Sequence, residues 1–263
     1  MKIKLYQIDA FTDKVFKGNP AAVCPLINDW LPDEIMQNIA NENNLAETAF
    51  YINKNNEYFI RWFTPEIEVD LCGHATLAAA HVLFNYENYP GNIVNFQSKS
   101  GVLFVSKNEG YLTLNFPTDE IEKVEMTDEI ISGFNLKPSE AYRGKTDYML
   151  VFDNENQIKD INVNMDKIAK IKARGIIITA KGIDADFVSR FFAPQSGIYE
   201  DPVTGSAHTT LVPYWSKILN KDTLTAKQLS KRTGILYCRN LNDRTEISGN
   251  AVTFLVGTID IEV

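Results

Sequence analysis

Apolar and polar residues alternate along residues 2–11, "KIKLYQIDAF", the period-two pattern of a strand that buries one face. The same pattern predicts strands over residues 46–52, 57–63, 92–98, 101–106 and 111–117 in the first half. In the second half it predicts them over 148–152, 174–180, 185–194, 234–240 and, as one long run, 244–263. "LPDEIMQNIANEN" at 31–43 has the spacing of an amphipathic helix, and "MDKIAKIKA" at 165–173 is a candidate second-half partner. Two other segments, "HATLAAAHVLFNY" at 74–86 and "SAHTTLVPYWSKIL" at 206–219, are apolar around nearly their whole circumference. A helix of that kind is buried on all sides. Many strands around two buried helices place the chain in the α+β class.

The two buried helices sit in matching surroundings. "RWFTPEIEVDLCGHATLAAAHVLF" from Arg61 aligns with "RFFAPQSGIYEDPVTGSAHTTLVPYW" from Arg190, element by element. Arg61, Phe63 and Pro65 match Arg190, Phe192 and Pro194. After a spacer three residues longer in the second copy, Cys72-Gly73-His74-Ala75 matches Thr204-Gly205-Ser206-Ala207. The two glycines lie 132 positions apart, half the length of the 263-residue chain. Such order and spacing predict two similar domains, 1–117 and 118–263, with the C-terminal strand a candidate to join the first. The junction falls near "NFPTDEIEKVEM", where a strand ends at Pro117 and turn-forming acidic residues follow.

Composition narrows the partners. The chain is 44% hydrophobic and carries a net charge of −8 without a block of Lys or Arg, which argues against a nucleic-acid surface. No apolar run is long enough to span a bilayer, and the first residues lack the core of a signal peptide, so the expected location is cytoplasmic. Cys24, Cys72 and Cys238 are odd in number and scattered, which fits free thiols. The three histidines show no ligand spacing, and neither nucleotide-binding glycine motif is present, so no metal and no cofactor is expected.

The chemistry then rests on a few side chains. Glu47, in "NNLAETAFY", opens an apolar strand, where partial desolvation would suit a carboxylate to acid/base work. It reads equally well as a loop carboxylate capping a turn. His74 begins a buried helix, where the helix dipole favours the neutral ring, or it is a helix-start residue satisfied by backbone. His81 and His208 lie inside the helices and read as hydrogen-bonded core residues. Gly73 and the Gly205-Ser206 pair begin the two helices, whose unpaired N–H groups can hold a carboxylate. Glu47, Asp70, His74 and Asp201 are expected to line a cleft between the domains, an arrangement suited to moving a proton at carbon.

"DAFTDKVFKGNPAAVC", "NNLAETAFY" and the two glycine segments together resemble the phenazine-biosynthesis isomerase (PhzF-like) family, over essentially the whole chain. The resemblance implies a diaminopimelate-epimerase-like fold, two alike domains each built of mostly antiparallel strands rolled around a central helix, and commonly a homodimer. It implies Glu47 as the acid/base of a cofactor-independent isomerase, with His74 and Asp201 as further catalytic residues that, together with Asp70, orient the substrate and assist proton transfer. Gly73, Gly205 and Ser206 would bind the carboxylate of a small-molecule acid. The racemases of the same fold use one thiol from each half; here Cys72 is matched by Thr204, which disfavours that mechanism. A racemase recruiting Cys72 alone, and a binding protein that has lost turnover, stand as alternatives.

Overall fold

The computed structural model describes residues 1–27 and 29–261. Close contacts divide the chain into two units, Met1–Asn115 with Ser248–Val263, and Phe116–Ile247. Among the described residues no helix is long and apolar enough to cross a membrane.

The first unit runs β1 (Lys2–Ala10), β2 (Asn19–Pro25), α1 (Asp33–Asn43), β3 (Glu47–Lys54), β4 (Glu57–Phe63), β5 (Glu68–Val69), α2 (Gly73–Tyr86), β6 (Ile93–Ser98), β7 (Gly101–Asn108) and β8 (Tyr111–Pro117), the last ending just beyond the unit's limit. β2 pairs in parallel with β3, β3 antiparallel with β4, β4 antiparallel with β5 and parallel with β6, and β6 antiparallel with β7. α2 is the buried helix: Leu77, Ala78, Ala79, Ala80 and Val82 have no exposed surface. Its alanine run lets β1, β2 and β3 come close to the helix axis. α1 covers the other face of the sheet through Met36, Ile39 and Ala40, packed with Cys24, Phe50 and Phe63. It ends at Asn44, whose left-handed φ of 48° turns the chain toward β3.

The second unit repeats this order with different sequence. It contains β9 (Glu122–Lys123), α3 (Asp128–Ile131), β10 (Glu140–Arg143), β11 (Asp147–Val151), α4 (Glu155–Asp160), α5 (Met165–Ile168), β12 (Gly175–Lys181), β13 (Phe187–Ala193), β14 (Ile198–Asp201), α6 (Ala207–Leu219), β15 (Thr223–Gln228), β16 (Gly234–Asn240) and β17 (Arg244–Gly249), whose last two residues cross back into the first unit's range. β11 is parallel to β12, β12 antiparallel to β13, β13 antiparallel to β14 and parallel to β15, and β15 antiparallel to β16. That is the pairing sequence of β2 to β7, with α6 in the place of α2. Pro213 lies inside α6 and cannot donate to the carbonyl of Thr209; the Asp119 N–H takes that carbonyl instead, at 3.2 Å.

The last strand, β18 (Ala251–Asp260), returns to the first unit and pairs antiparallel with β1. The single run expected at 244–263 is therefore two strands, divided at Asn250, whose carbonyl accepts the Thr12 N–H; residues 262 and 263 lie outside the described residues. The helix expected at 165–173 is also shorter. α5 stops at Ile168, and the chain continues in tight turns, Lys170 N–H to Lys167 O and Ile171 N–H to Ile168 O. Turns of three residues bury Ile168 and Ile171 on one side, so the apolar spacing that suggested a helix is satisfied without one.

One ion pair is built twice. Arg61 donates from Nε and Nη2 to the two carboxylate oxygens of Glu68 at 2.7 and 2.9 Å, and Arg190 does the same to Glu200 at 2.7 and 3.1 Å. Each guanidinium also lies over the phenylalanine two residues on, Phe63 at 5.2 Å and Phe192 at 5.0 Å. Both clamps tie a long strand to the short one beside it, β4 to β5 and β13 to β14. Glu200 is thus a structural residue, whereas its neighbour Asp201 has other partners.

Candidate active site

In the first unit, three loops bring polar side chains together at the start of α2. The tight turn before β2 requires Gly18, with φ of +64°, because a Cβ there would lie 2.1 Å from the carbonyl oxygen of Ala10. Asn19 follows, fully buried. β3 opens with Glu47, the register partner of Ala21 in the parallel ladder, and only 9% of Glu47 is exposed. Cys72 and Gly73 lead into α2, and Cys72, at the N-cap, makes no side-chain capping hydrogen bond. His74 joins the three segments. Its Nε2 lies 3.2 Å from Glu47 Oε2, and its Nδ1 lies 3.2 Å from Asn19 Nδ2 and 3.5 Å from Cys72 Sγ. Glu47 is therefore a buried carboxylate beside an imidazole, not an exposed turn cap.

Ligand atoms of Glu47, Cys72 and His74 all lie within 4.8 Å of one another, a convergence that sequence spacing did not reveal. The arrangement suits a metal poorly. Glu47 meets one ring nitrogen and Cys72 the other, and a single ion can use only one of them.

Asp70 stands apart from this cluster: it is exposed, and its backbone carbonyl accepts from Ser100 Oγ at 2.8 Å. His81 is half-buried, with Nε2 3.0 Å from Thr253 Oγ1; burial, with the nearby Lys107 charge, pushes its pKa down to about 4. Cys24 and Cys238 are fully enclosed, and burial raises both thiols well above their ordinary range.

The second unit builds its own polar cluster where β14 leads to α6. Asp201, 8% exposed, accepts a hydrogen bond from Thr204 Oγ1. Gln228, fully buried on β15, holds the turn: its Oε1 accepts from Thr204 N–H at 2.8 Å, and its Nε2 donates to the Asp201 carbonyl at 2.8 Å. His208 Nδ1–H donates to the Thr204 carbonyl at 2.9 Å, and burial takes the ring's pKa down to about 4. Gly205 is buried, and its carbonyl accepts the His208 N–H at 3.0 Å. Ser206 Oγ accepts from Arg174 Nη1 at 2.9 Å. The guanidinium of Arg174 is itself held through two hydrogen bonds by the buried carboxylate of Asp147.

Asn19, Gln228 and Arg174 were not singled out by the sequence. Asn19 sits in "KGNP", which reads as a turn, and Gln228 occupies an inward position of β15 that only strand register identifies. The Arg–Glu clamps carried a usable signal, since Arg61 and Arg190 already matched across the repeat.

Comparison with known proteins agrees with this architecture. The model of the family described as PhzC-PhzF, phenazine biosynthesis-like protein, matches residues 8–257. The chain belongs to that family. An uncharacterized isomerase of Pseudomonas aeruginosa is 47% identical over 260 residues, covering 98% of this chain and 99% of the relative. The crystal structure of a PhzF-family protein from Enterococcus faecalis superposes with a TM-score of 0.96 at 46% identity, covering 99% of this chain and 100% of the other. A predicted epimerase of Pseudomonas aeruginosa, at 18% identity and a TM-score of 0.76 over 99% of this chain and 100% of its own, shares the fold. This member of the phenazine biosynthesis-like family is an isomerase with the α+β fold of the epimerases.

Proposed function

We infer that this isomerase moves a proton between carbons of a small, cyclic amino or hydroxy carboxylic acid, with Glu47 as general acid/base and no cofactor. The observation that carries the reading is the Glu47 carboxylate, buried and 3.2 Å from His74 Nε2 at the start of α2. In the ionised form Glu47 takes a proton from a carbon next to the substrate's carbonyl or carboxylate. The electron pair of the broken C–H bond moves into conjugation with that group, and the protonated Glu47 then delivers the proton to a second carbon of the same system. No redox change occurs, and no co-reactant is consumed. His74 steadies the carboxylate between the two transfers. The N–H groups from Gly73 onward offer the substrate's carboxylate the positive end of α2.

In the same reading Asp201 orients a substrate amine or hydroxyl, Gly205 and Ser206 contribute donors to the carboxylate, and Asp70 serves as an outer substrate contact. Thr204 matches Cys72 in the repeat, so an opposed pair of thiols does not enter the mechanism. A cytoplasmic homodimer is part of the proposal, and light scattering coupled to size exclusion tests the dimer.

Incubation in D₂O with a panel of cyclic amino and hydroxy acids is the direct test. Deuterium should enter carbon-bound positions of the substrate, and Glu47→Gln should abolish entry while the protein stays folded. Incorporation that persists in Glu47→Gln removes Glu47 from the role given to it.

A second reading is favoured by one contact, Cys72 Sγ 3.5 Å from His74 Nδ1: a racemase in which that thiol shares the proton transfer. Substitution of Cys72 separates the two.

A further inference from the structure

The "KGNP" segment has no part in the proton transfer described above, yet it delivers a buried amide to the site. Asn19 has no exposed surface, and its Nδ2 lies 3.2 Å from His74 Nδ1, across 55 residues of sequence. The turn that delivers it is expensive to alter, because Gly18 adopts φ of +64° against the carbonyl of Ala10. On its far side the chain is fixed by β2, where Asn19 pairs with Ala10 and Pro20 with Asp9.

An amide nitrogen has hydrogens to donate and no lone pair to accept with. Nδ1 must therefore accept. The thiol of Cys72, 3.5 Å from Nδ1, is compatible with this, since a thiol can donate through S–H as well as accept. In a neutral imidazole only one nitrogen carries hydrogen, so acceptance at Nδ1 leaves the proton on Nε2, the nitrogen facing Glu47 Oε2.

We propose that Asn19 is a positioning residue that fixes the tautomer of His74, holding the ring proton on Nε2 toward Glu47. The inference rests on the reading of Glu47 and His74 as the proton-transfer pair only for its functional meaning. With the proton on Nε2, the imidazole presents a donor to an ionised Glu47, the state from which the carboxylate takes a proton from carbon. With the proton on Nδ1, Nε2 would be an acceptor, and it would face the carboxylate with a lone pair until Glu47 was protonated. Asn19 thus selects the starting state of the cycle without touching substrate.

The test needs no substrate. Protein labelled with ¹⁵N at histidine is examined at neutral pH, and His74 is assigned by the signal lost in His74→Gln. In the native protein the one-bond N–H coupling should appear on Nε2, with Nδ1 unprotonated. Asn19→Asp places an acceptor at Nδ1 and should move the proton there, taking the Nε2–H form from nearly the whole population to a minority, or should protonate both nitrogens. Asn19→Ala, which removes the donor without adding charge, should lower the Nε2–H fraction to an intermediate level.

A native ring protonated on Nδ1 overturns the proposal, because it requires the Asn19 amide oxygen to face the ring. An unchanged tautomer in both variants, accompanied by lower thermal stability, leaves Asn19 a packing residue and also overturns it. The native spectrum decides the orientation even if a variant fails to fold. Because it is recorded without substrate, it stands apart from the deuterium experiment: loss of the role given to Glu47 would leave the tautomer result unaffected, and the reverse holds as well.

Discussion

His74 Nε2 lies 3.2 Å from Glu47 Oε2, and the two residues reach that contact from different elements, one from the start of α2 and the other from the start of β3. Neither element could move by a residue without breaking it. β3 is held in register by its parallel ladder to β2, and α2 by the packing of its alanine run.

Replacement of His74 by Gln should keep the fold and lower the rate of deuterium incorporation by roughly 10²–10⁴-fold, the usual contribution of a proton-transfer partner. The circular dichroism spectrum should match the native one. A rate within threefold of native would show that Glu47 works without the imidazole.

Cys72 decides between the two mechanistic readings. In Cys72→Ser, incorporation should stay within about an order of magnitude of native if Glu47 alone carries the proton, whereas loss comparable to that of Glu47→Gln would establish the thiol as a partner. The comparison is made on kcat at saturating substrate, so that a change in binding does not stand in for a change in chemistry.

Glu68 should contribute to acid stability. Hydrogen bonds from Arg61 hold its carboxyl down to about 2, against the opposing effect of desolvation and with help from Lys99. A carboxyl whose pKa is lower in the folded state stabilises above its unfolded pKa, and that contribution is lost as pH falls from about 4.5 toward 2. Glu68→Gln should cost roughly 2 kcal/mol at neutral pH after allowance for solvent screening, and the cost should vanish near pH 2. Urea unfolding across that range measures both.

His208 acts in a higher window. Burial takes its pKa from the ordinary 6.5 to about 4 in the folded state, so the unfolded chain binds the proton first as pH falls. Stability should be full above about pH 6.5 and decline toward pH 4, by roughly 3 kcal/mol for this residue. His208→Gln should shrink that decline, leaving the similar but separate contribution of His81, while lowering stability at pH 7 through the hydrogen bond lost to the Thr204 carbonyl.

Gly18→Ala should destabilise the protein by about 2–4 kcal/mol, since the new methyl group would sit 2.1 Å from a backbone oxygen at a left-handed φ. Thermal unfolding gives the cost. The same variant should perturb the ¹⁵N signals of His74 through displacement of Asn19.

Local pattern showed much of this molecule and missed what depends on distant pairing. Glu47 and His74 were visible because each sits at the end of a strongly patterned element. Asn19 was not, because what distinguishes it from a turn residue is a ring 55 positions away. Gln228 was hidden for the same reason, its partners at Asp201 and Thr204 lying 27 and 24 residues back. β5 and β14 are too short to have a period, and their existence depends on the Arg–Glu clamps, whose arginines were visible but whose acids were not distinguished from loop charge. The helix at 165–173 failed for the opposite reason, since a period of three serves tight turns as well as helices.

The return of the chain to its first unit has a consequence for how the protein is made. Residues Phe116–Ile247 form a continuous stretch, so the second unit is complete in sequence as soon as it has left the ribosome. The first unit is not. β1 waits for β18, and Lys2 meets Asp260 only after the whole of the second unit has been synthesised. Through that interval β1 has β2 on one side and an open row of backbone donors and acceptors on the other, so the nascent chain is exposed to faulty pairing along that edge.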